Sequence, residues 1–271
     1  MMKRMLGIGV TLLMASAALV AHGHTVPVPA LMAASLAATA RHWQARHHYT
    51  YMERDASRHR DTDGRVTSED VEISRTILVD DVPFEQLVER NGQPPSARDA
   101  SKQNAALDKL HRETPQQRTA RVREQDEETA SLVREVPKAF DFQLAGEEVV
   151  RGRPAYVLRA TPRPGYEARG KYGRLFAKVQ GTLWIDTQDL VWIKVDGQVI
   201  QPFSVGLILL RLSAGSRVAM DQTRADDGTW LPMRVEVRAA ARILLLKSLV
   251  IDRVLTYSDY QRSDAMARAG G

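Results

Sequence analysis

The sequence contains no cysteine. This absence excludes disulfide bonds, thiolate zinc sites, a cysteine nucleophile and a thioether lipid anchor, so the fold must rest on its core. Familiar catalytic motifs are missing as well, because neither a Gly-x-Ser-x-Gly nucleophile elbow nor a glycine-rich phosphate loop occurs. We therefore predict a non-catalytic protein without a cofactor. A hydrolase with an unrecognised set of residues remains an alternative.

Long hydrophobic runs are confined to the N-terminus. Two basic residues precede an apolar run from Met5 to Ala21, which ends in the small-x-small sequence Ala21-His22-Gly23. This pattern is typical of a secretory signal, and its apolar part is shorter than the roughly 20 residues of a membrane-spanning helix. We predict that residues 1–23 form a signal peptide cleaved near His24 and that residues 24–271 form one periplasmic domain. The alternative is a retained membrane anchor.

The sequence also has only a small excess of basic side chains, 38 against 33 acidic ones, which gives a net charge of +5. The two signs are interspersed along the chain rather than gathered into a basic stripe, which favours a solvated surface over a phosphate-tracking one. We expect no nucleic-acid partner, at most peripheral contact with a membrane, and a monomer.

Four histidines lie near one another in the sequence, at His42, His47, His48 and His59. No His-Glu-x-x-His motif accompanies them, and His47 and His48 would point to opposite sides of a strand. We predict no metal site here. A true ligand set is the alternative.

Hydrophobic spacing changes along the first half of the chain. Residues 30–46 place Met32, Leu36, Ala40 and Trp43 at helical spacing, which predicts an amphipathic helix that buries Leu36 and Trp43 against a sheet. Strand-like alternation follows from Tyr49. A highly charged segment at about residues 96–137, broken near Pro115, then predicts an inserted helical hairpin or lid.

The second half alternates with a period of two, and its aliphatic residues fall at odd positions. This predicts one continuous aliphatic sheet face, with Trp184 and Trp192 as a cross-strand pair on the other face. The segments 205–212 and 243–246 are apolar on both sides and should be covered on both faces. The predicted fold is β-rich α+β: an incomplete antiparallel β-barrel, or strongly curved sheet, with an N-terminal helix and the helical lid on its concave face.

Several short motifs resemble the outer-membrane lipoprotein-sorting superfamily, the LolA/LolB-like periplasmic proteins. They are Tyr49-Thr-Tyr-Met-Glu-Arg54, Gly152-Arg-Pro-Ala-Tyr-Val-Leu158, Gly181-Thr-Leu-Trp-Ile-Asp186 and Trp230-Leu-Pro232. The resemblance covers most of the chain after the signal and implies an unclosed barrel whose apolar face holds acyl chains. No ligand-binding residue is carried over, since these motifs mark strands rather than a reaction.

The leading hypothesis is a periplasmic carrier or binding protein for a lipid, a lipidated protein or another hydrophobic ligand. An envelope protein-binding or regulatory module with a filled core is the alternative. For each cavity residue, ordinary core packing is the competing interpretation. The predicted cavity residues are Leu36, Trp43, Leu183, Ile185, Val191, Ile193, Val195, Leu231, Met233 and Val235.

Overall fold

The computed structural model describes residues 27–60, 65–167, 173, 175–205, 210–243 and 247–263. The predicted signal peptide and its cleavage site near His24 lie outside these residues. So do residues 206–209 and 244–246, the centres of the two segments predicted to be covered on both faces.

Three helices and twelve strands are described. The helices are α1 (Val28–Ala45), followed by a 3₁₀ turn (Arg46–His48), α2 (Ala97–Arg112) and α3 (Pro115–Ala139). The strands are β1 (Tyr49–Arg60), β2 (Val66–Val79), β3 (Val82–Arg90), β4 (Phe140–Val150), β5 (Arg153–Pro162), β6 (Val179–Asp186), β7 (Trp192–Val199), β8 (Phe203–Val205), β9 (Leu210–Leu212), β10 (Arg217–Arg224), β11 (Trp230–Ile243) and β12 (Lys247–Arg262).

The strands form one antiparallel sheet in the order β3-β2-β1-β12-β11-β10-β7-β6-β5-β4, and the short β8–β9 hairpin pairs with the end of β11. Strands β3 and β4 are the two edges and do not pair, so the barrel is not closed. Strand β12 returns to pair with β1 and thereby joins the first three strands to the rest of the sheet. The predicted incomplete antiparallel barrel with added helices is confirmed.

Helices α2 and α3 occupy the predicted insertion. The Ser96 side chain caps α2, and Thr114 forms a reciprocal capping box with Gln117 at the start of α3. Helix α2 packs beside the edge strand β3, where Gln103 donates a hydrogen bond to the Leu87 carbonyl oxygen. Helix α3 continues directly into β4, so the helical pair bridges the two edges of the sheet.

Helix α1 packs on the sheet through a face that its hydrophobic spacing predicted only in part. The residues it buries are Leu31, Met32, Ser35, Ala38 and Thr39. Two of them are polar, and both bind Trp192. Ser35 Oγ accepts a hydrogen bond from Trp192 Nε1 at 2.9 Å, and Thr39 Oγ1 accepts one from the Trp192 backbone N–H at 3.2 Å. Of the predicted stripe, Leu36 packs against the sheet cluster beneath α1, whereas Trp43 lies beside α3.

The sheet face beneath α1, called here the helix-covered face, is densely packed. Leu158 and Ile185 are fully buried there, together with Leu183 and Trp192. Val133 and Val136 of α3 pack against the same cluster, so both long helices lie on one side of the sheet. Burying these side chains contributes about 1.5–3 kcal/mol for each large aliphatic residue.

Candidate functional site

An open groove runs between α1 and α3. Its volume is about 670 Å³, and helical side chains alone line it. The apolar part of the lining consists of Leu36, Ala37, Ala40, Trp43, Ala130 and Val133. The polar part consists of Thr39, Gln44, Arg123, Asp126, Glu127 and Arg134. The groove thus offers apolar walls within a charged rim, a common make-up of ligand sites.

The groove exists because α1 has two apolar faces, one that packs on the sheet and one that lines the groove. One face is committed to the sheet, and the flank that carries Leu36, Ala40 and Trp43 turns toward α3. Small residues on both helices, Ala40 on α1 and Ala130 on α3, leave space between the two backbones. The Trp43 indole Nε1 is buried without a hydrogen-bond partner among the described residues.

Four of the ten residues predicted from the sequence pack in one cluster and the other six do not join it; the four are Leu36, Leu183, Ile185 and Val195. Leu36 and Trp43 line the groove. Leu183 and Ile185 are buried beneath α1, and Val195 packs beside them. Val191 and Ile193 belong to a separate cluster with Trp184 and Trp230. Leu231 is fully buried, whereas Met233 and Val235 are half-buried on β11.

A β-bulge explains why the predicted face is broken. Trp184 pairs with Lys194, but Ile185 pairs with Trp192, so Ile193 is the extra residue on β7. The bulge shifts the alternation of β7 by one position. Trp192 therefore joins the helix-covered face, and Trp184 remains on the other face with Lys194 Nζ at 4.4 Å from its ring centre. The predicted Trp184/Trp192 pair on one face is wrong.

The helix-covered face becomes polar on β1 and β12. Tyr51 lies 5.9 Å from Tyr257 and 5.3 Å from Tyr260 between ring centres, and we call these three residues the tyrosine cluster. Glu53 pairs with Tyr257 across the two strands. Arg46, at the end of α1, is an electrostatic neighbour of all three tyrosines. The predicted continuous aliphatic face therefore ends before β12.

Burial shifts the ionisation of this polar region. It raises the pKa of Glu53 to about 7, with a further contribution from the negative charges of Glu85 and Asp55. It also raises the pKa values of Tyr257 and Tyr260, and it lowers the pKa of Arg46. No sequence motif had predicted this polar region. The tyrosines at 257 and 260 and the alternation of Tyr51 with Glu53 were the available signals.

The histidines do not converge on one position. The His42 Nδ1 accepts a hydrogen bond from the Trp230 backbone N–H, His47 contacts Asp126 at 2.6 Å and His59 contacts Asp70 at 2.8 Å. Within the described part of the chain, no group of three or more histidine and carboxylate side chains is placed to hold a metal ion. No described helix combines the length and the apolar character that crossing a membrane requires.

No protein-family model matches the sequence, and no curated protein is significantly similar to it. Several solved structures resemble the chain. A DUF1329 family protein from Desulfovibrio piger has 15% identity and a TM-score of 0.33, with 89% of this chain and 97% of that one covered. A LolA superfamily protein from Nitrosomonas europaea has 12% identity and a TM-score of 0.33, with 91% and 98% covered.

An outer membrane lipoprotein-sorting protein domain from Vibrio parahaemolyticus has 9% identity and a TM-score of 0.31, with 86% of this chain and 94% of that one covered. The solved structures that resemble the chain thus include members of the lipoprotein-sorting superfamily, as predicted from the motifs. Identities and TM-scores this low carry no conclusion about ligand, partner or activity.

Proposed function

We propose that this protein is an exported, non-catalytic binding protein or carrier in the periplasm, and that a lipid, a lipidated protein or another hydrophobic ligand lies in the groove between α1 and α3. The observation that supports this most is an apolar groove of about 670 Å³ left open beside a filled core. Each methylene that a ligand buried there would contribute about 0.8 kcal/mol.

This proposal moves the ligand surface from the sheet to the helices. Leu36 and Trp43 form part of it, whereas the eight predicted residues on the strands support the fold in the ligand-free state. Leu183 and Ile185 would contact a ligand only after α1 moved away, which would break the hydrogen bond from Trp192 to Ser35. An acyl chain of ordinary length provides enough burial to drive such a movement.

The test fills the groove without touching the sheet. Ala40 is exposed and lines the groove, so Ala40→Trp should block it. Ala33 is exposed on the same helix outside the groove, so Ala33→Trp is the matched control. We expect the wild type and the control to bind a fluorescent acyl probe and the Ala40→Trp variant to lose at least about tenfold in affinity, because roughly 1.4 kcal/mol is tenfold. Equal binding by all three proteins would rule out the groove as the site.

A second candidate function is an envelope protein-binding or regulatory module, and the filled core beneath α1 favours it. Leu158, Ile185 and Leu231 are fully buried, so none of them is accessible to a ligand while α1 stays in place. In that case, protein purified from the envelope should carry no lipid by native mass spectrometry. It should also fail to take up the acyl probe in any variant.

A further inference from the structure

The Arg46 guanidinium is the notable group beside the groove. Its centre lies 4.5 Å from the centre of the Trp43 ring, and its charge also faces the tyrosine cluster. Among the described residues, Arg46 has no ion pair and no side-chain hydrogen bond. The side chain is half-buried, and none of its nitrogen atoms is both buried and unpaired, so the guanidinium remains accessible to a ligand.

The nearest carboxylates do not neutralise this cation. Asp126 is an electrostatic neighbour of Arg46, but its Oδ1 lies 2.6 Å from His47 Nε2. Glu53 on β1 lies across from Tyr257, and burial raises its pKa to about 7, which favours its uncharged form. The Tyr51 hydroxyl has no hydrogen-bond partner among the described residues. The Arg46 guanidinium and the Tyr51 hydroxyl are thus electrostatic neighbours that both have free donor capacity.

The groove and Arg46 are physically continuous. Trp43 lines the groove and stacks with Arg46, and Asp126 both lines the groove and neighbours Arg46. Arg123 on the α3 wall makes no ion pair within the described part of the chain either. Arg134 pairs with Glu127 and His47 with Asp126, so the apolar walls lead to two arginines, Arg46 and Arg123, that have no ion pair among the described residues.

We propose that the ligand is an anionic amphiphile with a single acyl chain, whose carboxylate or phosphate head binds Arg46 and the Tyr51 hydroxyl while its chain lies between α1 and α3. This inference rests on the proposed function and narrows its ligand class. Hydrogen bonds from a guanidinium to an oxyanion are among the strongest available to a protein, so the head group provides selectivity and the chain provides affinity.

The experiment compares ligands that share one chain and differ in the head group: dodecanoate, dodecyl phosphate and dodecanol, each below its aggregation limit. Quenching of tryptophan fluorescence measures binding to the full-length mature protein. We expect wild-type protein to bind at least one of the two anions about tenfold to a hundredfold more tightly than dodecanol, as one charged hydrogen bond would give. A preference between the two anions tells a carboxylate ligand from a phosphate one.

Two variants locate the effect. Arg46→Met keeps the aliphatic stem and should remove the preference for the anions over dodecanol. Arg41→Met, an exposed position on the same helix, should leave this preference unchanged. If Arg46→Met does not fold, Tyr51→Phe removes only a hydroxyl and should reduce anion binding several-fold.

The failures of the two proposals are distinguishable. Equal affinity of wild-type protein for the three ligands, abolished by Ala40→Trp, would leave the groove as the binding site and overturn the anionic head group. No binding of any of the three would overturn both. An anion preference that persists in Arg46→Met and in Tyr51→Phe would also overturn the assignment to these residues.

Discussion

Replacing Glu53 with glutamine tests whether the helix-covered face is polar and desolvated at β1. Burial, followed by the charges of Glu85 and Asp55, raises the pKa of Glu53 from 4.5 to about 7. Between these two pH values the folded protein holds a proton that the unfolded chain releases. The free energy of unfolding therefore falls as the pH rises through this window, and the penalty is complete above pH 7.

The size of this penalty follows from the same shift. A change in pKa from 4.5 to about 7 corresponds to about 3 kcal/mol for a fully desolvated group. Glu53 is only partly buried, and solvent screening reduces the expected effect to about 1–2 kcal/mol. The glutamine side chain has nearly the same shape and carries no charge.

Urea unfolding followed by circular dichroism between pH 4 and pH 9 measures the effect. We expect Glu53→Gln to be more stable than the wild type by about 1–2 kcal/mol at pH 8 and equal to it near pH 4. Glu147→Gln, at an exposed position on the edge strand β4, is the matched control and should show no such pH dependence. A constant difference between Glu53→Gln and the wild type across the whole pH range would refute the reasoning.

Three further substitutions test the packing that positions the groove. Trp192→Phe removes the indole donor that binds α1 and should lower the free energy of unfolding by about 1–2 kcal/mol, measured by urea unfolding. Arg153→Met leaves the fully buried Asp186 carboxylate without its ion pair and should cost about 3–5 kcal/mol at pH 7, less at pH 3; no loss at pH 7 would contradict the assignment. Gly181→Ala would place a Cβ 2.5 Å from a β7 carbonyl oxygen and should lower the melting temperature, whereas Gly197→Ala meets its nearest neighbour at 3.6 Å and should be nearly neutral.

Local patterns were sufficient for much of the architecture. Helical spacing after residue 30, the charged segment broken near Pro115 and the alternation of β6 and β11 correctly indicated α1, the α2–α3 pair and a β-rich sheet. These features depend on contacts between neighbouring residues or on the period of one element, so the sequence carries them directly. The opening of the sheet between β3 and β4 agrees with the predicted incomplete barrel.

Candidate site residues were harder to predict, because three features that decide their positions arise only from tertiary contacts. The bulge at Ile193 exchanges the faces of β7, and no residue type on its own announces a bulge. Helix α1 had two possible buried stripes, and the hydrogen bonds of Ser35 and Thr39 to Trp192 select the one that includes polar residues.

The third feature, the pairing of β1 with β12, brings Arg46 beside tyrosines that lie more than 200 positions further along the chain. By itself, the sequence determined which segments become helices and strands, since periodicity and capping act over a few residues. Only the tertiary structure decided which faces meet, because strand register and helix rotation are set by the best mutual packing of distant segments.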